Sequence, residues 1–524
     1  MSAASASPIQ ETTAVKAPTR AYLGYGIFVV CAGLYLLPFM RIMLSMLDEG
    51  ILIEGAVRVA HGQLFARDFF EIMGPGTFYW LAAFFKVFGV TFLATRICLF
   101  VSSLGTGVLI YFLTRRVSER FRSLPCLLVA GTYFGLVWPA ISHHVDSNFF
   151  GLLSVACMVL WHDRRNTLLL LAAGVLAGIT TCILQPKGGL LLIAFVAWLA
   201  IECWRKRASL ASLGLVVASY SSVIGCVVVY FWSKGALYDL AFATVLHNLR
   251  YYGPMNVVPY ASGMVENYWN HRAIFSPGMY WTIPLAAICF VPFLFTAALP
   301  GMAIVLAALN RRAMLTPILM LYGLCGAALW LSEYHRKDIS HLVMGSPLLI
   351  ILCIHFIAER RSKLAHYTLQ ALLACAGCLA LLNLMLTFYA HPTQTRVGTI
   401  AMYRVDPVLK YIQDYVKPGE RIFIYPFYPI DYFLTETENP TRYTGFAYHY
   451  TTIEQFNEAV QSLEQSKTRY VVWDRTEFDR LGPTAFPSLP RTLKSDYIIE
   501  PYLESHYKVV WESEGTVFME RLEK

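Results

Sequence analysis

Charge is scarce in this sequence. Only 15% of its 524 residues are charged and 56% are hydrophobic, where a soluble chain carries about a quarter charged residues. That shortfall excludes an ordinary soluble protein of this length. Cysteine is missing from the polar tail: all 12 cysteines lie before Ala380, inside or beside apolar runs. A disulfide framework is therefore not expected, and the cysteines read as small buried hydrophobes. The net charge of +8 does not mark a nucleic-acid binder, because Arg and Lys sit in short clusters between apolar runs, as in cytoplasmic loops. No internal repeat is present. The middles of the apolar runs carry almost no ionisable residue, which argues against a carrier of ions or polar solutes.

What the chain does have is a succession of apolar stretches, each long enough to cross hydrocarbon. The first, Tyr22 to Leu47, follows a Ser/Ala/Thr-rich lead with Lys16 and Arg20. It is too long for a signal-peptide core and reads as an uncleaved signal anchor behind a disordered cytoplasmic segment, 1–21. Basic clusters recur at Arg115–Arg116–Arg120–Arg122, Arg164–Arg165, Arg205–Lys206–Arg207, Arg311–Arg312 and Arg360–Arg361–Lys363. Placing all of them in the cytoplasm with the amino terminus puts spans near 22–46, 94–114, 124–141, 149–162, 167–184, 189–203, 209–232, 279–309, 313–331, 342–358 and 366–389. These are about eleven crossings, so residues 391–524 lie outside. Residues 73–89 would add one more and invert every later loop. That stretch is short, opens with Gly74–Pro75–Gly76 and holds Lys86, so it reads as a re-entrant or interfacial segment.

The tail, 391–524, differs in kind. Asp406 to Val416 reads as a helix stopped by Lys417–Pro418–Gly419, and Arg421 to Tyr425 as a strand. Thr451 and Glu454 have capping-box spacing before a helix to about Gln465. Tyr470 to Trp473 is a second strand. Lys508–Trp511 and Thr516–Met519 flank Glu514–Gly515 as a hairpin. The fold class expected is an all-α polytopic membrane region, 22–390, with outer loop 47–93 and a small α/β extracytoplasmic domain. The tail has no Gly-rich phosphate loop and no nucleophile elbow.

With this orientation the polar residues gather in the outer loops 47–93, 142–148, 185–188, 233–278 and 332–341. Asp48–Glu49 follows the first span, where a carboxylate has water above and hydrocarbon below and can accept a proton from a hydroxyl; the plain alternative is that the two acids end a hydrophobic helix and start an interfacial one. Asp68 and Glu71 are candidates for orienting an acceptor or a metal, or for pairing with Arg67 or Arg58. His143, His144 and Asp146 are zinc-compatible ligand types at no recognised metal spacing, pointing apart if helical, so hydrogen bonds to a sugar fit them better. A divalent metal thus stays open as a cofactor. Lys187, in Gln185–Pro186–Lys187–Gly188, suits a lipid phosphate or snorkels to headgroups. Glu333 to His341 is the densest charged outer loop: Arg336, Lys337 and His341 can neutralise a phosphate, with Asp338 orienting them. Tyr251, Tyr252, Tyr260, Tyr268 and Trp269 form an interface belt or stack on sugars.

Taken together, Asp48–Glu49–Gly50, Gly62, Asp68–Phe69, Gly74 to Trp80, Phe88–Gly89 and Arg96 resemble the first outer-loop region of GT-C glycosyltransferases. The bacterial branch related to protein O-mannosyltransferases and lipid A aminoarabinose transferases is the most similar in look; Gln185–Gly188 and Arg336–His341 resemble it as well. The resemblance implies a bacterial inner-membrane enzyme with a polyprenyl-phosphate sugar donor and inversion at the anomeric carbon. It also implies a catalytic acid on the first outer loop, mapping to Asp48, and a second acidic site, mapping to Asp146. The Lys-Pro-Pro run that such proteins often carry is replaced here by Met73–Gly74–Pro75–Gly76, so its phosphate contact must come from elsewhere. The expectation is a membrane transferase moving a sugar to an extracytoplasmic glycan, lipid or protein, with Asp48 as base assisted by Glu49. A transporter or flippase, and a non-catalytic envelope scaffold, are the alternatives.

Overall fold

The computed structural model describes residues 19–43, 48–117, 139–275, 279–360, 362–403, 407–448, 450–476 and 497–522. The amino-terminal lead and nearly all of the crossing expected at 124–141 lie outside them. Helix α1 (Thr19–Leu36) continues as a 3-10 turn to Arg41. Then come α2 (Asp48–Ala60), α3 (Gly76–Phe88) and α4 (Phe92–Val117). The bundle continues with α5 (His143–Arg164), α6 (Thr167–Ile183), α7 (Gln185–Trp204) and α8 (Leu210–Ser233). Its last helices are α9 (Leu237–Ala241), α10 (Met264–Phe275), α11 (Thr282–Leu309), α12 (Pro317–Ser332), α13 (Ile339–Gly345), α14 (Pro347–Ala358) and α15 (Lys363–Leu386).

Every expected crossing within the described residues is helical, and the chain is a multi-pass membrane protein. Among the described residues seven helices are long and apolar enough to span alone, or eight if α13 and α14, bent by 73°, count as one. The count of about eleven is therefore not confirmed; α6 and α12 are apolar but shorter. Helix α3 has 13 residues, about 20 Å, against about 30 Å of hydrocarbon. It packs on α2, α4 and α6.

Two short outer loops expected from the sequence are in fact helix starts. Ser142 caps α5 by accepting from the His144 amide at 3.2 Å, so 143–148 is the first turns of a helix. Pro186 sits in the first turn of α7, where its missing N–H costs nothing, so 185–188 is helical too. The α6–α7 hairpin is tight: a Cβ on Gly188 would lie 2.2 Å from the Thr181 hydroxyl and 2.5 Å from the Ala177 carbonyl. Gly74 and Gly76 serve the same purpose on α3, where a Cβ on Gly74 would sit 2.1 Å from the Cys182 carbonyl.

Beyond α15, β1 (His391–Thr395) and β2 (Gly398–Met402) form an antiparallel hairpin. Next are α16 (Pro407–Tyr415), β3 (Ile422–Tyr425), α17 (Ile430–Thr435), α18 (Ile453–Ser466), β4 (Tyr470–Asp474), α19 (Ile499–His506), β5 (Tyr507–Ser513) and β6 (Thr516–Arg521). The sheet order is β3-β4-β6-β5, parallel between β3 and β4 and antiparallel elsewhere. The β5–β6 turn is Glu514–Gly515, both at positive φ, as a tight two-residue hairpin requires. The capping box is one residue later than expected, Thr452 with Gln455.

The cores explain how these parts assemble. One apolar cluster runs through the bundle from α1 to α15. A second joins α2, α3 and the start of α4 to α16, α17, α18 and the sheet. The segment from α2 to the start of α4 thus shares its interior with the tail. Backbone pairs reinforce the joint: Met43 N to Ala401 O at 3.1 Å, Phe70 N to Arg442 O at 2.7 Å and Phe92 N to Val397 O at 3.2 Å.

Candidate functional site

Asp48 is the first residue of α2 and is exposed. A helix amino terminus favours a carboxylate through its dipole and unpaired amides. The next two residues hold that terminus in place. Glu49 is fully buried and ion-pairs with Arg96 of α4, whose guanidinium also lies 4.5 Å from the centre of the Phe92 ring. Gly50 presses on α17, where a Cβ would come within 2.7 Å of the Ile430 amide. Glu49 is therefore placed to fix the helix rather than to assist proton transfer.

The other candidates on this loop also brace it. Asp68 pairs with Arg67 at 2.8 Å and accepts from the Leu64 amide at 2.7 Å; the Arg67 hydrogen bond holds its carboxyl below the ordinary range. Glu71 is buried and takes a hydrogen bond from Thr444 of the tail. Burial pushes its carboxyl up to about 7, opposed by that bond and by the charge of Arg58. Arg58 bonds Glu54 at 2.9 Å and the Thr441 carbonyl at 3.1 Å.

Asp146 faces inward on the first turn of α5. Its two oxygens accept from Thr77 of α3 at 2.6 Å and Ser102 of α4 at 2.8 Å. It locks the short helix α3 to its neighbours and is 5% exposed, so a sugar hydroxyl has no route to it in this arrangement. Lys187 is likewise withdrawn. Its ammonium is fully buried, 2.6 Å from Glu333 and 2.7 Å from the Asn148 side chain. The tight α6–α7 turn aims Lys187 into the bundle. Glu333 also pairs with His144 at 2.9 Å. The His143 and His144 rings lie side by side, centres 4.1 Å apart, rather than pointing away from each other. His144 also meets His341 at 4.7 Å. Among the described residues no three His, Cys, Asp or Glu side chains are placed to hold a metal ion.

The loop from Glu333 to His341 stays at the surface of this network. Arg336 bonds Asp338 at 2.8 Å and Asn256 at 2.9 Å. Asp338 caps α13, accepting the His341 amide at 3.1 Å and pairing with its ring at 2.8 Å. Burial works against the Asp338 carboxylate, yet His341 and Arg336 hold it well below the usual range. Lys337 lies 5.2 Å from the Tyr334 ring centre. Two backbone bonds, Ala261 N to Lys337 O at 2.7 Å and Ile339 N to Ser262 O at 2.8 Å, tie this loop to 259–262.

Beside the 336–341 loop runs a segment that sequence reasoning left in the aromatic belt. After α9 the chain winds as two π-helical turns, Phe242–Leu246 and Asn248–Tyr252, a geometry frequent at functional sites. Burial raises the Tyr252 phenol, Arg336 opposes this by charge and hydrogen bond, and Asp48 and then Asp338 raise it again. Tyr252 is hydrogen-bonded to Arg336 and lies within electrostatic reach of Asp48 and Asp338. Its ring lies 6.0 Å from Tyr450 of the tail, and Asn248 bonds the Ile72 carbonyl at 2.9 Å. The structure therefore brings Arg336 and Asp338 together with Tyr252, Asn256 and Tyr450 as unforeseen neighbours, and leaves Asp48 within electrostatic reach of Tyr252. Asp146 is instead engaged by Thr77 and Ser102, and Lys187 reaches the loop only through Glu333. The only sequence signal for Tyr252 was the aromatic run Tyr251–Tyr252 beside Arg250. Tyr260 and Tyr268 do other work, the first bonding the Ala297 carbonyl at 2.7 Å and the second packing on Phe290.

Residues 73–232 match the model of a family described as dolichyl-phosphate-mannose-protein mannosyltransferase. No curated protein matches the sequence significantly. Among solved structures, ArnT from Cupriavidus metallidurans bound to undecaprenyl phosphate aligns over 97% of this chain and 99% of its own, with TM-score 0.55 and 12% identity. The apo state of the same protein aligns over 95% and 98%, with TM-score 0.56 and 12% identity. The resemblance to GT-C glycosyltransferases thus holds in the family match over residues 73–232 and in the fold over nearly the whole chain.

Proposed function

We propose that the chain is an integral-membrane glycosyltransferase that moves a sugar from a polyprenyl-phosphate donor to an extracytoplasmic acceptor. The observation that carries this reading is the fold, shared over nearly the whole chain with a protein seen bound to undecaprenyl phosphate; Asp48 and Arg336 both act electrostatically on Tyr252. The basic clusters support an amino terminus in the cytoplasm and residues 391–524 outside. The site then opens where a lipid-borne phosphate and a water-side acceptor meet.

The acceptor hydroxyl attacks the anomeric carbon in one displacement. Its C–O bond forms as the bond from that carbon to the phosphate oxygen breaks, inverting the configuration. Asp48 takes the hydroxyl proton, and the lipid phosphate leaves with the electron pair. Arg336 and Lys337 stabilise the growing phosphate charge, with Asp338 and His341 holding the loop. A preorganised donor of this kind typically contributes about 3 kcal/mol. Glu49, Glu71 and Asp68 shape the loop that presents Asp48.

The test is transfer by purified protein in lipid nanodiscs, using a panel of polyprenyl-phosphate sugars and an extract of envelope glycans, lipids and proteins. The reading expects release of polyprenyl phosphate with the sugar appearing on one acceptor class, inverted. Movement of the intact donor between leaflets without release would favour a flippase.

A further inference from the structure

We propose that Glu333, through Lys187 and His144, is the positioning residue that aims the Arg336–His341 loop at the donor phosphate. This rests on the glycosyltransferase reading. Glu333 ends α12 and is fully buried. Its carboxylate is gripped on two sides, by Lys187 at 2.6 Å and His144 at 2.9 Å. Lys187 is fixed in turn by Asn148, one helical turn along α5 from His144. Two helices, α5 and α7, therefore hold one side chain of the loop that carries Arg336.

The backbone completes the link. The carbonyl of Glu333 accepts the Arg336 amide at 3.1 Å, so the turn bearing the guanidinium begins at the gripped residue. On its far side, a Cβ on Gly345 would lie 3.1 Å from Glu333 Cγ and 2.7 Å from the Leu329 carbonyl, which leaves α13 no room to slide. Asp338 then caps α13 and bonds Arg336 at 2.8 Å. The loop is thus pinned at Glu333 by charge and at Asp338 by the cap, with Arg336 between the pins. Buried ion pairs of this kind specify geometry more than they add stability. An apolar pair of equal volume would pack α12 against α7 without fixing the direction of the turn.

Removing Glu333 alone leaves Lys187 uncompensated in the interior, so the test uses a double variant, Glu333→Gln with Lys187→Met, in full-length protein in nanodiscs. Hydrogen exchange of amides 334–341 is read beside that of α5, α7 and α12. Undecaprenyl phosphate affinity is measured by direct binding. The expected result is at least tenfold faster exchange confined to the loop, with affinity at least tenfold weaker. Glu333→Asp, which keeps the charge, restores both to within threefold. Unchanged loop exchange, faster exchange throughout the three helices, or a loosened loop with wild-type affinity each overturns the proposal. Wild-type protein that binds no undecaprenyl phosphate counts against the donor assignment instead, and the loop exchange then decides the role of Glu333 by itself.

Discussion

Replacing Asp48 by Asn keeps the size and most hydrogen bonds of the side chain but removes its ability to take a proton. Loss of a general base typically slows a reaction about 100- to 10,000-fold. The structure separates this chemical cost from a folding cost. Asp48 is exposed, and the helix it begins is anchored independently by the Glu49–Arg96 pair and by Gly50 against Ile430. The carboxylate's interaction with the helix terminus is worth about 0.3–1 kcal/mol, and Asn is itself a good residue at a helix start. Stability should therefore change by about 1 kcal/mol or less. The assay is single-turnover transfer with saturating donor, beside thermal unfolding and direct binding of undecaprenyl phosphate. The expectation is a 100- to 10,000-fold lower rate with melting temperature and lipid affinity near wild type. Turnover within threefold of wild type would refute the base assignment. Asp338 would not inherit the role, because Arg336 and His341 hold it as a weakly basic carboxylate.

Glu49→Gln should lower stability rather than catalysis: it leaves Arg96 buried without its counter-charge, a change that costs about 3–5 kcal/mol, read by thermal unfolding against an Arg96→Met, Glu49→Gln pair that recovers part of the loss. Neutral substitution of Arg336 or Lys337 should weaken donor use, seen as a raised donor KM and a lowered rate, and unchanged donor kinetics in both would sink the phosphate assignment. Glu71 binds its proton more tightly in the folded state, with a carboxyl near 7 against 4.5, so its contribution is full below about pH 4.5 and is lost as pH rises through about 7. That amounts to about 3 kcal/mol, and melting profiles between pH 5 and 8 should flatten in Glu71→Gln. For orientation, single cysteines in a cysteine-free background should react with an impermeant reagent at position 460 and not at 206 in intact cells; the reverse pattern would overturn the topology.

Periodicity and run length were sufficient for the membrane class, for helices at the expected crossings that fall in described residues, and for the strands of the tail, because these depend on local composition and spacing. Ile422–Tyr425, Tyr470–Asp474 and the Glu514–Gly515 hairpin were all legible in this way. Asp48 and the 336–341 loop could be singled out as charges stranded at span ends. Helix starts were harder to read: Ser142 and Pro186 carry α5 and α7 further out than hydropathy suggests. Partnership was not legible at all. Nothing near Asp146 in sequence announces Thr77 and Ser102, and nothing near Lys187 announces Glu333, since the hydroxyls and the counter-charge come from other helices. A carboxylate or ammonium looks alike in sequence whether it meets a substrate or a buried partner. Only the packing of α3, α4, α5, α7 and α12 decided that these two side chains turn inward. The same packing lets the tail share a core with α2 and α3, and the wound segment ending at Tyr252 brings that side chain to Arg336.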